Sequence, residues 1–452
     1  MALRVGVSRR AFLTAAGAAA ALGGGWLGAD AWRRYRTEAA VLPWLKANAH
    51  GFDLDNPDSV WTPPLSRALA GARVIGLGEA THGSHDDAAV KSAIIKGLIR
   101  DGAIRTVLLE VNAPGGRELD AFIQGGSGSA RDRLRTAKVF RVVKTEAVAD
   151  LLDWLRQWNR TAAAPVRIFG IDCQATAEDA ATAFSALRTV NPAEAERLAA
   201  SLRPILSPQA QALRFPALIK SLTTAQLLEA MTALEAVRAA LAKADASRDA
   251  IYAARTAWQG LKAFEMETSD GKVTGDAEAY YARRDGFMAD NVLNAPMDGA
   301  AALWAHNNHV VAERFEGTTF LPTGAQLRRR LGDAYRAVVV EYGSARFNAV
   351  PASPFAAFPE ATEPTAVISW DGTGGRPAGL LGKVREGSFW VSLRDMPDTE
   401  PARAWRRLPY SLDWPGYAAP RWQALSYGQS MPTASLYDVI VYAEALTPSR
   451  PV

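Results

Sequence analysis

Short apolar runs rich in β-branched residues alternate with longer segments of helical periodicity along most of the chain. Such runs are typical of buried parallel strands, whose connecting helices cover both faces of the sheet. The pattern therefore predicts an α/β fold with a mostly parallel central sheet flanked by helices. The predicted strands are Arg73–Leu77, Thr106–Leu109, Val166–Ile171, Ala301–Trp304, Ala337–Glu341, Ala366–Trp370, Phe389–Leu393 and Asp438–Tyr442. The predicted helices include Asp87–Asp101, Thr145–Asn159, Ala177–Arg188 and Ala325–Leu331.

Two regions depart from this alternation. The first runs from about Ala177 to Asn294, has almost no strand signal and is dense in Ala, Leu, Glu and Arg. These residues favour helices, so we expect a large all-helical insertion between the third and fourth strands, forming a cap or a side wall. After Arg346 the chain becomes rich in Pro, Trp and Gly. Its strands either extend the same sheet or form a small subdomain.

The first thirty residues carry a targeting pattern. Residues 8–13 read Ser-Arg-Arg-Ala-Phe-Leu, and an Ala- and Gly-rich apolar run continues to Ala29. Paired arginines before such a run are typical of a twin-arginine export signal, which acts as a membrane anchor if it is not cleaved. We therefore predict a signal or anchor over residues 1–31 and a single domain over residues 32–452. The protein is then periplasmic or extracellular, and contacts a membrane only through an uncleaved signal.

Charge adds little to this picture. The chain of 452 residues has 51 Lys and Arg against 47 Asp and Glu, a net charge of +4. Without residues 1–31, which hold three arginines and one aspartate, 48 basic and 46 acidic residues remain. A nearly neutral protein gives no reason to expect a nucleic-acid partner. The single cysteine, Cys173, rules out an intrachain disulfide.

Histidine is scarce and clustered. Four of the five histidines fall within residues 82–85 and 306–309, after the first and fourth predicted core strands, and only His50 lies elsewhere. In open α/β sheets, ligands bind outside the carboxyl ends of the strands, so these segments are expected to meet at one edge. Acids and imidazoles together suit general acid–base chemistry. The candidates after the four strands are Glu79, His82 and His85, then Glu110, then Asp172, and finally His306 and His309.

The same residues resemble a known family. The order and spacing of these motifs resemble the erythromycin esterase family from about residue 40 to the end of the chain. The motifs are Gly78-Glu79-Ala80-Thr81-His82-Gly83, Glu110, Glu146 with Trp154-Leu155-Arg156 and Asn159, Gly170 with Asp172 and Gln174, Arg284-Asp285 with Met288-Ala289 and Asn291, Trp304-Ala305-His306-Asn307-Asn308-His309, and Tyr437-Asp438-Val439-Ile440-Val441-Tyr442.

The resemblance implies a hydrolase with an α/β core and helical additions, which cleaves a carboxylic ester or a macrolactone without a cofactor. His82 matches the histidine that deprotonates water for attack on the ester carbonyl. Glu79 and Glu110 match the acids beside it, and His306 and His309 match the second histidine pair. Asp86, Asp87 and His85 depart from the residues common in the family, which concerns substrate specificity more than the core chemistry.

Four further residues are candidates for contact with the substrate or with an oxyanion. Lys91 lies where the family carries a basic residue, and Arg284 and His85 are the others with a cationic or donor side chain. Lys91 and Arg284 are equally consistent with charges on a helix surface. Asp172 either holds a neighbouring side chain or caps the helix that follows it.

Other functions stay open on the sequence alone. The chain has no Gly-x-Ser-x-Gly motif, which disfavours a covalent serine esterase and predicts direct attack by water. It also has neither the phosphate-binding motif Gly-x-x-x-x-Gly-Lys nor the zinc-protease motif His-Glu-x-x-His. One alternative is a hydrolase that depends on a divalent metal held by the Glu and His cluster, to which His85 adds a further donor. Another is an exported, non-catalytic binding protein for a macrocyclic or haem-like ligand.

Overall fold

A computed structural model gives the architecture of the protein. It describes residues 31–213, 215–263, 268–269, 272–273, 277–295, 297, 299–315, 318, 320–352, 364–372, 376–421 and 429–452. The predicted export signal therefore lies outside the described residues, except for residue 31, where the first helix begins. Among the described helices, none is both long and apolar enough to cross a bilayer.

Strands alternate with one to three helices up to Asp172, and helices dominate from there to Asn294. The strands are β1 (His50–Phe52), β2 (Val74–Leu77), β3 (Ile104–Asn112), β4 (Arg167–Asp172), β5 (Thr268–Ser269), β6 (Lys272–Val273), β7 (Ala300–Trp304), β8 (Tyr335–Pro351), β9 (Ala366–Asp371), β10 (Ser388–Ser392), β11 (Pro409–Leu412), β12 (Ala418–Ala419), β13 (Gln429–Pro432) and β14 (Val439–Leu446). The helices are α1 (31–48), α2 (Pro63–Leu69), α3 (His85–Arg100), α4 (Ala113–Ile123), α5 (Ala130–Thr136), α6 (Glu146–Asn159), α7 (Thr176–Val190), α8 (Pro192–Leu206), α9 (Pro208–Ala212), α10 (Phe215–Ser221), α11 (Thr224–Lys243), α12 (Arg248–Ala263), α13 (Ala277–Asn294), α14 (Asn307–Val310), α15 (Thr323–Leu331), α16 (Ala378–Leu381) and α17 (Glu400–Arg406).

The central sheet confirms the predicted fold class. Its order is β1-β10-β14-β8-β2-β7-β3-β4, and the strands from β14 to β4 are parallel to their neighbours. Strand β2 is buried at every position because helices cover both faces, which explains its uninterrupted apolar sequence. All eight predicted strands are present, as β2, β3, β4, β7, β8, β9, β10 and β14.

Helix α3 begins two residues earlier than predicted, and its start matters for the site. Ser84 is the N-cap, and its hydroxyl accepts a hydrogen bond from the backbone N–H of Asp87. Because a capping serine satisfies an otherwise unpaired N–H, His85 and Asp86 fall inside the first turn. The loop that ends β2 is therefore only the segment 78–84.

The region between β4 and β7 is helical in its described residues, apart from the two-residue strands β5 and β6. Helices α7, α8, α11 and α12 pack on one another around a hydrophobic core of their own. Tyr252 of α12 donates a hydrogen bond to the carbonyl of Gly170 on the edge strand β4, at 2.9 Å. The last helix of this region, α13, contacts β4 and brings Arg284 and Asp285 to the carboxyl edge of the sheet.

The Pro- and Trp-rich C-terminal region is divided between two sheets. Strands β10 and β14 extend the central sheet, and β9 pairs with the long strand β8. Strands β11 and β13 form a separate antiparallel pair. The region thus adds strands to the central sheet and forms one further two-stranded sheet, whose Tyr410, Leu412 and Met431 are buried in the main hydrophobic core.

Candidate active site

The register of the central strands explains why distant residues meet. Leu77 of β2 and Leu109 of β3 both pair with Trp304 of β7, so the three residues form one row across the sheet. The segments that follow these three strands then leave the sheet at the same edge. The predicted residues Glu79, Glu110 and His306 follow that row by one or two positions, as expected for the carboxyl ends of adjacent parallel strands.

A buried carboxylate fixes the first histidine. The Nδ1 atom of His82 lies 2.5 Å from Oε1 of Glu79. The other oxygen of Glu79 accepts hydrogen bonds from Lys91 Nζ and from Trp304 Nε1, the latter at 3.2 Å. Burial alone would raise the pKa of Glu79, but the Lys91 charge and the His82 bond lower it to about 2. Glu79 is thus an anion at neutral pH, and it orients the His82 ring with Nδ1 as the donor.

Lys91 is buried and pairs with the Glu79 carboxylate instead of facing solvent. Its side chain is 1% exposed. Its Nζ atom forms an ion pair with Glu79 and also lies 3.9 Å from the centroid of the Trp304 ring. Cation–π contact and ion pairing compensate part of the cost of burying the ammonium. Burial still lowers the pKa of Lys91 from its usual value.

His306 is held as a neutral ring beside His82. The two ring centroids are 4.9 Å apart. The Nδ1 atom of His306 accepts a hydrogen bond from the backbone N–H of Asn308 at 3.2 Å, which places the proton of a neutral ring on Nε2. That Nε2 atom is buried and has no hydrogen-bond partner in the described part of the chain. Burial, together with the adjacent His82, lowers the pKa of His306 to about 3.

A second group of charges lies behind His306. Glu110 Oε2 accepts the backbone N–H of His306 at 2.9 Å, and Oε1 accepts Arg284 Nη2 at 3.0 Å. Arg284 also forms a two-pronged pair with Asp172, at 3.0 and 2.7 Å. Burial would raise the pKa of Glu110, but the charges of His309 and Arg284 hold it well below its usual value. Bidentate geometry of this kind favours a fixed guanidinium.

His309 uses both ring nitrogens within this group. Its Nδ1 lies 2.8 Å from Oδ1 of Asp285, and its Nε2 lies 3.2 Å from Oε1 of Glu110. Burial would lower the pKa of His309, but these two carboxylates raise it to about 10. The same oxygen of Asp285 accepts the N–H and the hydroxyl of Thr323, each at 2.8 Å. His309 is therefore a cation that joins α13 to the segment after β7.

Most of the predicted residues belong to one network, and one does not. The predicted residues brought together are Glu79, His82, Lys91, Glu110, Asp172, Arg284, His306 and His309. His85 bonds through its backbone N–H to the carbonyl of Thr447, and its Nδ1 has no partner within the described residues. The prediction missed Asp285 and Trp304 as site residues. Their position beside Arg284 and within the Trp-Ala-His motif was the available signal.

The histidines and acids of the network are engaged with one another rather than arranged around a metal ion. Within the described ranges, no group of three or more His, Cys, Asp and Glu side chains is arranged to hold an ion. Both ring nitrogens of His309 and the Nδ1 atoms of His82 and His306 are engaged in hydrogen bonds. Within the part of the chain that the structure describes, the two Nε2 atoms of His82 and His306 are the imidazole nitrogens of this network without such a partner.

Comparison with solved structures identifies the fold. A succinoglycan biosynthesis protein aligns with a TM-score of 0.76 at 16% identity, covering 91% of this chain and 98% of that protein. A protein from Bacillus cereus aligns with a TM-score of 0.74 at 20% identity, covering 92% and 99% of the two chains. A mutant of the erythromycin esterase EreC in its open conformation aligns with a TM-score of 0.61 at 18% identity, covering 85% and 93%.

Sequence comparison identifies the family. The erythromycin esterase type II of Escherichia coli is 23% identical over an alignment of 329 residues that covers 65% of this chain and 74% of that protein. The family described as erythromycin esterase matches residues 100–446, which is most of the sequence. This match, and the His and Glu network at the carboxyl edge of the sheet, lead to one conclusion: the chain belongs to the erythromycin esterase family.

Proposed function

We propose that the protein hydrolyses a carboxylic ester or a macrolactone by direct attack of water, with His82 as the general base. The observation that carries this proposal is the bond between His82 Nδ1 and Glu79, because it leaves Nε2 unprotonated and able to accept a proton from water. The developing imidazolium is stabilised by the adjacent Glu79 anion. The His82 side chain is 17% exposed, which gives water and substrate access to the ring.

His306 is proposed to bind the oxygen of the ester carbonyl. Its neutral Nε2–H is a buried donor without a partner among the described residues, and an oxyanion would satisfy it. Water adds to the carbonyl carbon, its proton passes to His82, and the carbonyl oxygen becomes an oxyanion. When the tetrahedral intermediate collapses, His82 returns the proton to the leaving alkoxide. The products are a carboxylic acid and an alcohol, and no covalent enzyme intermediate is formed.

The Glu110 group is proposed to position the catalytic rings rather than to transfer protons. Glu110 holds the backbone of His306, and Arg284 and His309 hold Glu110. Since the pKa of His309 is raised to about 10, this ring keeps its proton throughout a neutral reaction. The role is therefore electrostatic and geometric.

The decisive experiment compares two histidine variants. His82→Ala is expected to lose hydrolysis while it still folds and binds substrate, because only the base is removed. His50→Phe is the matched control, since His50 stacks on Trp390 at the far end of the sheet, with ring centroids 4.2 Å apart. Aryl esters and macrocyclic lactones serve as substrates, with product masses as the readout. Unchanged turnover in His82→Ala would exclude this ring as the base.

The same preparations distinguish the alternatives. A protein dialysed against a chelator is expected to keep its full activity, because the proposed base and donor act without an ion. Loss of activity that returns with a stoichiometric divalent ion would support a metal-dependent hydrolase instead. Binding of a macrocycle without any turnover by the wild-type protein would support a binding protein.

We also propose that the chain is exported by the twin-arginine route, is otherwise free of the membrane and acts without a cofactor. The proposal rests on Arg9 and Arg10 and on the apolar run that follows them. Replacing both arginines with lysine in the full chain is expected to retain the precursor in the cytoplasm. Equal amounts of the wild-type and double-lysine proteins in the exported fraction would contradict this route.

A further inference from the structure

We propose that residues 447–452 act as a strap that positions the His82 loop, the segment 78–84, for catalysis. The inference rests on the proposed function, because it assigns to the strap the orientation of the proposed base. The strap follows the last strand of the sheet and runs antiparallel past the loop, where Ser84 and Pro448 form an isolated bridge. None of the roles assigned to the site so far includes it.

Gly83, the residue next to His82, is hydrogen-bonded to two other segments of the chain. The carbonyl of Gly83 accepts the backbone N–H of Asn348 at 3.1 Å and that of Ser449 at 2.7 Å. A side chain at Gly83 is excluded, because its Cβ would lie 1.9 Å from the carbonyl oxygen of Asn348. The side-chain amide of Asn348 donates to the carbonyl and hydroxyl of Ser449, at 2.6 and 3.1 Å. Loop, strand and strap thus meet at one point beside the base.

The strap also holds the first turn of α3. Asp86 Oδ2 accepts the N–H of Thr447 at 2.5 Å and its hydroxyl at 2.7 Å. The carbonyl of Thr447 in turn accepts the N–H of His85 at 2.9 Å. Hydrogen bonds to a carboxylate are stronger than neutral ones, so Thr447 is firmly attached at this place. The loop that carries His82 is therefore fixed at its downstream end by the strap.

The other end of the strap is anchored on a separate element. The carbonyl of Arg450 accepts the N–H of Glu146 at 2.8 Å, and the N–H of Val452 donates to the carbonyl of Lys144 at 3.1 Å. Thr145, the N-cap of α6, forms a bridge with Pro451. Because the strap is held at both of its ends, it can restrain the loop that it contacts, whereas a free tail could not.

The catalytic consequence follows from the geometry of the base. A general base must lie within hydrogen-bond reach of the attacking water, and a displacement of about 1 Å costs roughly 100-fold in rate. The His82 loop has no helix or strand of its own to hold it. Its main-chain restraint next to the base comes from Asn348 and Ser449. We therefore classify Thr447 and Ser449 as positioning residues.

The kinetic test uses variants that remove the side-chain contacts of the strap and leave its backbone bonds. Thr447→Val removes the hydroxyl bond to Asp86, and Asn348→Ala removes both bonds to Ser449. Each is expected to lower kcat about tenfold, and the double variant about 100-fold, with KM unchanged. Thr447→Ser keeps the hydroxyl and is expected to restore kcat. Arg450→Ala is the control on the strap itself, since its side chain is 70% exposed.

An activity-independent measurement separates this inference from the proposed function. With ¹⁵N-labelled histidine, the Nδ1–H of His82 gives a downfield proton signal, assigned by its loss in His82→Gln. In the double variant this signal is expected to move upfield or broaden while the His309 signals persist. Thermal unfolding checks that each variant is folded, and if the double variant is not, the two single variants carry the test.

The outcomes then distinguish the two claims. If the wild-type protein hydrolyses no ester but the His82 signal changes as expected, the strap positions the ring and the proposed function fails. If the wild-type protein is an esterase and neither kcat nor the His82 signal changes in folded strap variants, the inference is refuted. A rise in KM with constant kcat would refute it as well, because that pattern indicates lost substrate binding.

Discussion

Removing the buried donor of His306 tests the proposed chemistry most directly. His306→Ala deletes the Nε2–H that we assign to the oxyanion, while Glu110 keeps its bond to the backbone N–H of residue 306. His306→Gln is the matched variant, because its amide nitrogen can reach the position of Nε2. The comparison therefore separates loss of the donor from loss of the imidazole.

The size of the effect follows from the state of the donor. Loss of one oxyanion donor from a water-excluded site costs about 3 kcal/mol, which corresponds to roughly 10² to 10³ in kcat. His306 is 3% exposed and its Nε2 is unpaired within the described residues, so the full effect applies. We expect a fall of this size in His306→Ala with little change in KM, and partial recovery in His306→Gln.

The pH profile distinguishes a neutral donor from a protonated acid. Since the pKa of His306 is lowered to about 3, the ring stays neutral from pH 5 to pH 9 and its contribution does not change with pH. Rates of the wild-type protein and His306→Gln should therefore rise and fall in parallel over this range. A kcat of His306→Ala within about threefold of the wild-type value would refute the assignment of the donor. If the wild-type pH–rate profile has a rising or falling part that is absent in His306→Gln, the neutral state of the His306 ring is refuted.

Three further predictions concern buried ionisable groups. Lys91→Met leaves the Glu79 carboxylate buried without its cation and should destabilise the protein by about 3–5 kcal/mol in denaturant unfolding, whereas Lys96→Met on the same helix should change little. Asp285→Asn removes one of the two carboxylates that hold His309, so the pKa of that ring should fall from about 10 by a unit or more, as followed by histidine NMR. Burial raises the pKa of Glu341 to about 8, so its folded form holds a proton that the unfolded form releases near pH 4.5. Stability from this group is complete below that pH and is lost by about 1.4 kcal/mol per pH unit up to about pH 8, and Glu341→Gln should remove this loss in unfolding measured across the range.

Sequence patterns predicted the strands well because each core strand is buried on both faces. A strand such as β2 needs apolar residues at every position, and that requirement is visible in the sequence. The six strands that were not predicted are β1, β5, β6, β11, β12 and β13. All six are short, and some pair with strands far along the chain, as β1 does with β10. Nothing local distinguishes such segments from loops.

The site was predictable as a set of residues but not as a set of roles. Four histidines with acids at the ends of strands indicate acid–base chemistry. Which ring is neutral depends on contacts that the sequence does not contain. His306 is neutral because it is buried with its Nδ1 on a backbone N–H, whereas His309, three residues later, is a cation because two carboxylates flank it. Asp285 was missed as a site residue because its role appears only once α13 lies against the segment after β7.

The fixed charges around His82 and His306 match the charges that the proposed reaction would create. The carboxylates of the network are Glu79, Glu110, Asp172 and Asp285, and its cations are Lys91, Arg284 and His309. These seven groups alone leave one negative charge uncompensated, and Glu79, directly bonded to His82, lies nearest to the proposed base. In the proposed reaction, the imidazolium that forms at His82 lies beside this charge, and the neutral His306 binds the oxyanion. In a buried site such fixed charges act strongly, because little solvent reorganisation is needed during the reaction. A fourth cation at position 306 would cancel this excess negative charge and lie beside the imidazolium that the proposed reaction forms, which is a physical reason for the His306 ring to be neutral.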